Sequence, residues 1–382
     1  MKNLKQIFIL GIVFLVLVFL TLEISLRFLV VDKLPLSIKY KIDEKEIHCY
    51  NDDLDLIQLC PNIQMRLISP LGFSYNLTTN AMGERITSNM YVAKNNQEKI
   101  DEGSGINTGV SDAVLDQSQK IDKFSHVESI PKLGIWAIGD SLTMGYGIND
   151  DESLPFLLAT KGFQVRNLAS DSLGSNDIYK ILKSNLGKRI TDPSESNQAK
   201  NQKNGADFIV WVFSRSDFYD DLKSNSKFQN FLRKQSFKLS KKIRSLIVAR
   251  AILENWRIQR SSNDYNFIQK EQFVPPADNH PTLVAIKNIR KLSFDANIDP
   301  IVVLAPDWDH LNGDPELNTE CFKFMKTYFT KLEFNVVDMS EFFDNRKGSE
   351  LYIPNDGHPS ANANKLIGIE VSRILRSLPK HQ

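Results

Sequence analysis

Hydrophobic and polar positions follow three regimes along the chain. The first is continuous. Ile7 to Leu22 reads IFILGIVFLVLVFLTL without a charge, Glu23 interrupts, and a second apolar stretch runs on to Val31. About 20 mostly apolar residues cross a bilayer as a helix, and this stretch supplies them if Glu23 or Arg27 lies near the interface. A cleaved signal peptide is the alternative. The run is long for an apolar signal core of about 7–15 residues, and no A-x-A-like site follows, so residues 1–33 are expected to be an uncleaved single-pass anchor. Lys2 and Lys5 precede the span and Arg27, Lys33, Lys39 and Lys41 follow it, so counting basic residues leaves orientation open. A short leading tail favours the inside, which places the large domain on the extracytoplasmic side.

In the second regime short apolar runs mix with turn residues. Residues 34–90 are expected to form a membrane-proximal segment. Residues 91–127 are rich in Asn, Gln, Ser, Gly and Asp, with too little apolar surface to offset chain entropy, and are expected to be a flexible polar insertion.

The third regime, 128–382, alternates short buried strands with amphipathic stretches. LGIWAI, FQVRNLA, DFIVWVF, PIVVLAP and NVVDMS read as strands. Helices are expected around Leu154–Leu158, Asn176–Leu186, within PTLVAIKNIRKLSFDAN and CFKFMKTYFTKL, and from Ala361 to Leu378. The pattern predicts an α/β three-layer sandwich with a mostly parallel central sheet, whose loops at the C-terminal strand ends gather the chemistry. A helical insertion is expected at about 224–276. There Phe231, Leu239, Ile243, Leu246, Ile247, Ala251 and Ile252 repeat at helical spacing among basic residues. A surface helix with a buried stripe is the expected reading, and a membrane-surface helix the alternative.

Composition changes this picture little. A formal net charge of +1 argues against general nucleic-acid binding. Three cysteines are too few for a disulfide scaffold. Cys49 and Cys60 fit either a small disulfide loop in an oxidising compartment or two unrelated thiols, with Cys321 left over as a small buried hydrophobe. Trp136 and Trp211 lie in strands and are expected in the core.

Candidate chemistry lies in two blocks. GDSLTMGYG, Gly139 to Gly147, follows the first predicted core strand. A tight turn there exposes Ser141 and aims the amides of the following helix toward it, as a serine nucleophile requires. Simple helix capping by Asp140-Ser141 is the other reading. The second block, YIPNDGHPSANANKLIG, places Asp356 two residues before His358, ahead of the last helix. A carboxylate there can fix the histidine tautomer and stabilise the imidazolium, and the chain has only six histidines. The cluster Asp307, Asp309 and His310 in PDWDHLNGD reads as a polar loop, with substrate or cation binding as the alternative.

With these blocks in place the chain resembles the SGNH (GDSL-like) hydrolase superfamily. Gly139, Asp140 and Ser141 match its nucleophile block, and Asp356 and His358 its final block. TTNAMGERI resembles an N-x-x-G-x-R element through Asn80, Gly83 and Arg85. That element precedes the core in membrane-anchored members associated with surface carbohydrate. The resemblance implies Ser141 as nucleophile, His358 as base and Asp356 as its orienting carboxylate. It also implies oxyanion donors: the amides of Ser141 and Gly174, and an asparagine after the third core strand. This chain departs from the pattern there, with Ser216 in the asparagine position and Arg215 beside it. The literal G-x-N-D at Gly174 to Asp177 follows the wrong strand and reads as a helix start.

No metal or organic cofactor is implied. The expected partners are an acylated carbohydrate or other ester substrate and the membrane, with no nucleic acid. Ester hydrolysis, O-acetyl transfer to a polysaccharide by the same triad, and a catalytically weak glycan-binding or scaffold role all remain open. The altered third block favours the last of these.

Overall fold

The computed structural model describes residues 2–28, 35–88, 133–171, 173–191, 205–223, 227–243, 245–250, 252–253, 273–305, 315–343, 346, 348–354 and 356–379. The polar insertion expected at 91–127 and the cluster at 306–314 lie outside them.

The chain begins with α1 (Lys2–Phe28). Its described side chains from Ile9 to Leu20 are all exposed. Side chains are described without a break only from Ile9 to Thr21. Taken over the described residues, no helix is long and apolar enough to cross a membrane.

Residues 35–88 form α2 (Leu36–Glu46) and two antiparallel hairpins, β1 (His48–Asn51) with β2 (Leu56–Leu59) and β3 (Gln64–Ile68) with β4 (Ser74–Thr78). The second hairpin alternates. In β4 Tyr75 and Leu77 are buried while Ser74 and Asn76 are exposed, the period-two pattern of a sheet with one wet face. Tyr40, Ile47, Leu59, Leu67, Tyr75 and Leu77 pack together with Met144 and Ala169 of the main domain, so this segment is docked on the core. Cys49 and Cys60 form a disulfide across the first hairpin, and Cys321 is buried and not disulfide-bonded.

The main sheet has five parallel strands in the order β6-β5-β7-β8-β9: β5 (Gly134–Ile138), β6 (Gln164–Asn167), β7 (Phe208–Phe213), β8 (Asp299–Leu304) and β9 (Asn335–Asp338). β5 and β7 are buried at every position, because helices cover both faces. Ile135, Ala137, Phe208, Val210 and Val212 face α4 (Leu154–Thr160) and the last helix, Ala361–Ser377. Trp136, Ile138, Ile209, Trp211 and Phe213 face α5 (Ser175–Thr191), α8 (Pro281–Asp295) and α9 (Pro315–Lys331). Both tryptophans are thus in the core, as expected.

The remaining helices are short or peripheral. The single turn α3 (Ser141–Met144) follows β5, and α6 (Ser216–Lys223) and α7 (Lys227–Lys242) follow β7. The turns α10 (Ser340–Phe343) and α11 (Gly348–Leu351) lead into α12, the last helix. In the predicted helical insertion, Phe237 and Ile247 are buried while Leu232, Leu239 and Leu246 are exposed. Of the stripe expected from the sequence, Ile247 is buried and Ile243 half-buried, whereas Leu239, Leu246 and Ile252 are exposed; Phe237, outside that stripe, is also buried. Strand β6 is an edge, and Arg85 pairs antiparallel with Asn167 across it, so the 79–86 segment shields part of that edge.

Candidate active site

The site begins where β5 runs out. Gly139 adopts φ +144°, and a Cβ there would lie 2.2 Å from Thr143 Oγ1, so only glycine makes this bend. Asp140 is buried and caps α3, its side chain accepting from the Leu142 amide at 2.9 Å. Asp140 therefore holds the turn, and Ser141 is its first helical residue. Thr143 Oγ1 accepts from the Val212 amide at 2.9 Å and ties the turn to β7.

The second wall comes from the loop before α12. Ile353 O accepts from the amides of both Asp356 (3.2 Å) and Gly357 (3.3 Å), and Gly357 has φ +87°. This tight reversal puts the side chains of Asp356 and His358 side by side. Ile353 N donates to His358 O at 2.8 Å and closes the loop, after which Ser360 caps α12.

Ser141 and His358, 217 residues apart, meet with Oγ and Nε2 at 2.8 Å. His358 Nδ1 is hydrogen-bonded to Asp356 Oδ1. A carboxylate only accepts, so Nδ1 carries the proton and Nε2 is left to accept from the Ser141 hydroxyl. That is the tautomer a general base needs. The His358 side chain is 26% exposed and that of Asp356 12%, so the base is open to substrate while its carboxylate is mostly shielded.

Of the implied oxyanion donors, the amides of Ser141 and Gly174 have no hydrogen-bond partner among the described residues. Gly174 also has a packing reason: a Cβ there would fall 2.4 Å from Asp221 Oδ1. Asp221 accepts from Asn176 N at 3.1 Å and Thr282 Oγ1 at 2.7 Å and joins α5, α6 and α8. Asn176 and Asp177 thus belong to a helix start, as expected of that G-x-N-D. Ser216 opens α6 and is exposed, with its hydroxyl 2.5 Å from Ser214 Oγ in a hydrogen bond either group can donate. Arg215 is half-buried.

No protein-family model matches this chain, and no curated protein matches it. Solved structures with a similar chain course include a lipolytic G-D-S-L family member from Veillonella parvula (13% identity, 64% of this chain, all of that chain, TM-score 0.37). A GDSL-like lipase from Bacteroides thetaiotaomicron (10% identity, 68% and 96%, TM-score 0.34) is another. A third is a lipase/acylhydrolase from Enterococcus faecalis (13%, 65% and 100%, TM-score 0.34). The five-stranded parallel sheet fits the three-layer architecture expected from the sequence.

Several residues around the triad escape sequence reading. Tyr146 lies inside the GDSLTMGYG block, and its ring centroid is 4.5 Å from that of His358. Its hydroxyl hydrogen-bonds Tyr40, and Tyr75 packs against it at 5.6 Å. Burial pushes the Tyr40 and Tyr146 phenols well above their ordinary value, so this backing stays uncharged. Two of its three rings come from the 35–88 segment.

His48 and Asp171 form a second, buried pair, Nε2 to Oδ1 2.5 Å. His48 Nδ1 meets the Glu44 carbonyl, so both ring nitrogens face acceptors and both must donate, which describes an imidazolium. Burial pushes His48 down, but Asp171 more than offsets it and the net shift is upward. Burial likewise pushes Asp171 up, and His48 reverses this to a net lowering, with His358 contributing. His48 therefore contributes stability that is full below its ordinary value of 6.5 and fades as pH rises through its raised folded value. Asp171 contributes stability that is full above 3.8 and fades as pH falls through its lowered value. A His48→Gln variant is expected to differ most from the native chain in melting temperature between those two ordinary values. The gap should narrow on the alkaline side, and a pH-independent gap would contradict the pairing.

Proposed function

We propose that this chain is a membrane-anchored serine carboxylester hydrolase facing the extracytoplasmic side. The observation that carries the reading is the Ser141 Oγ–His358 Nε2 contact of 2.8 Å, backed by Asp356. Ser141 Oγ attacks the ester carbonyl while His358 Nε2 takes its proton. The tetrahedral oxyanion is held by the amides of Ser141 and Gly174. Collapse expels the alcohol, which receives the proton from His358, and leaves an acyl-Ser141. Water, deprotonated by the same His358, then attacks the acyl carbon and restores Ser141. Asp356 orients the ring and stabilises the imidazolium in both halves.

The missing asparagine changes the third oxyanion position. Losing one such donor costs about 2.7–4 kcal/mol of transition-state stabilisation, so Ser216 is expected to serve less well than an amide. The substrate class we assign is an O-acyl ester, of O-acetyl size, of a surface polysaccharide, supported by the resemblance of the Asn80–Arg85 element.

The test is release of a chromogenic acetyl ester by purified full chain beside Ser141→Ala. Turnover by the native chain alone supports the reading. Acyl transfer to an added sugar in preference to water would make it a transferase. Absence of turnover in both, with glycan binding retained, would leave a binding protein on an esterase scaffold.

Anchoring is part of the same proposal. What supports it is the apolar sequence at the N-terminus and the exposure of the α1 side chains from Ile9 to Leu20. The charge-free run from Ile7 to Leu22 occupies the middle of α1. Protease added outside intact spheroplasts is expected to digest the large domain. Protection while the membrane stays sealed would reverse the orientation.

A further inference from the structure

Arg85 lies outside the strand-and-helix core that carries the triad, in the 79–86 segment laid along the sheet edge. Its side chain is fully buried and reaches the nucleophile turn. Nε donates to Asp150 Oδ1 at 2.8 Å. Nη1 donates to the carbonyls of Met144 (3.3 Å) and Gly145, and Nη2 to those of Asn76 (3.1 Å) and Ile148 (2.6 Å). All five guanidinium N–H groups are used, and four of the acceptors are backbone.

Two of those acceptors close the turn that begins at Ser141. Gly145 N and Tyr146 N both donate to Ser141 O, at 3.1 and 2.9 Å. Holding the Met144 and Gly145 carbonyls therefore holds the Ser141 peptide one turn away. The next residue is Tyr146, whose ring packs on His358. One side chain thus grips the ends of both the nucleophile turn and the surface behind the base. The local chain is built to deliver it: Asn80 Oδ1 accepts from the amides of Met82 (2.9 Å) and Glu84 (3.0 Å), folding the turn that presents Arg85.

We infer that Arg85 is a positioning residue that fixes Ser141 Oγ within reach of His358. The inference rests on the reading of Ser141 as nucleophile. Arginine is required because its planar fork serves several carbonyls at once, whereas lysine offers a single point charge with three donors. A misplacement of about 1 Å at the reacting atoms costs about 100-fold in rate.

The experiment uses full-length protein in detergent micelles. A serine-directed phosphonate reads the rate of Ser141 modification per folded molecule, well below each variant's melting temperature. Arg85→Lys is expected to react about 100-fold more slowly with little change in phosphonate affinity. Met325→Ala, a cavity variant in α9, is the control: it should melt lower yet react at the native rate. A second readout does not depend on activity. In ¹⁵N-histidine spectra, Ser141→Ala should shift the His358 Nε2 resonance, and Arg85→Lys should shift it likewise. Should Arg85→Lys not fold, Arg85→Gln is measured in the same two ways.

A folded Arg85 variant that reacts at the native rate with an unmoved His358 resonance overturns the inference. If the native chain fails to react but Arg85→Lys still moves the resonance, positioning stands and the esterase reading falls.

Discussion

Replacing His358 by Ala is expected to lower ester turnover by about 10⁴-fold or more. The imidazole is the sole base in contact with the Ser141 hydroxyl among the described residues, and without it that hydroxyl is a weak nucleophile at neutral pH. Ser141→Ala should cost about as much, and the double variant no more than either single one, because the residues act as a unit. Asp356→Asn is informative for a different reason. The amide can present N–H toward His358 Nδ1, which favours the tautomer with its proton on Nε2. Catalysis then drops by about 10⁴-fold with little change in geometry. Initial rates on the chromogenic ester, with phosphonate labelling as a check, decide this. Undiminished labelling in His358→Ala would remove the mechanism.

The largest expected loss of stability comes from Asp150→Ala. Asp150 Oδ1 accepts from Arg85 Nε at 2.8 Å and from the Thr78 amide at 3.2 Å, joining the 35–88 segment to the loop after the nucleophile. Arg85 has no solvent access, and arginine does not deprotonate, so removing the carboxylate leaves a buried cation without its counter-charge. Breaking such a pair costs about 3–5 kcal/mol. For a domain of this size that is a fall in melting temperature of roughly 10 °C. Asp150→Asn keeps an acceptor at that position and should lose less. A loss below about 1 kcal/mol for the alanine variant would show that the four carbonyls alone solvate the guanidinium.

These two sites differ in how far they could be read beforehand. The triad was legible because each half sits in a local motif with a local reason. A buried strand ending at Gly139 exposes a serine, and an Asp-Gly-His reversal pairs a carboxylate with an imidazole. The parallel sheet was legible because strands buried on both faces leave apolar runs, and all five expected strands fall where the structure has them. The Arg85–Asp150 pair was not. Its partners are 65 residues apart, and nothing in either neighbourhood demands the other. The same holds for His48 with Asp171 and for Tyr40 and Tyr75 behind Tyr146.

By itself, then, the sequence determined the alternation of strand and helix and the turn chemistry around Ser141 and His358, and it singled out Ser141, Asp356 and His358, whose side chains the fold brings together. Those follow from interactions within a few residues, where backbone sterics and side-chain period dominate. It left Cys49 and Cys60 undecided, since 11 residues of separation allow but do not require a bond, and the hairpin register that brings them together closes it. Only the tertiary structure decided that the 35–88 segment is part of the site. That segment packs Tyr75 and Leu77 on Met144, sends Arg85 under the nucleophile turn and places His48 on Asp171, because burying its one apolar face against the open sheet edge satisfies both surfaces at once.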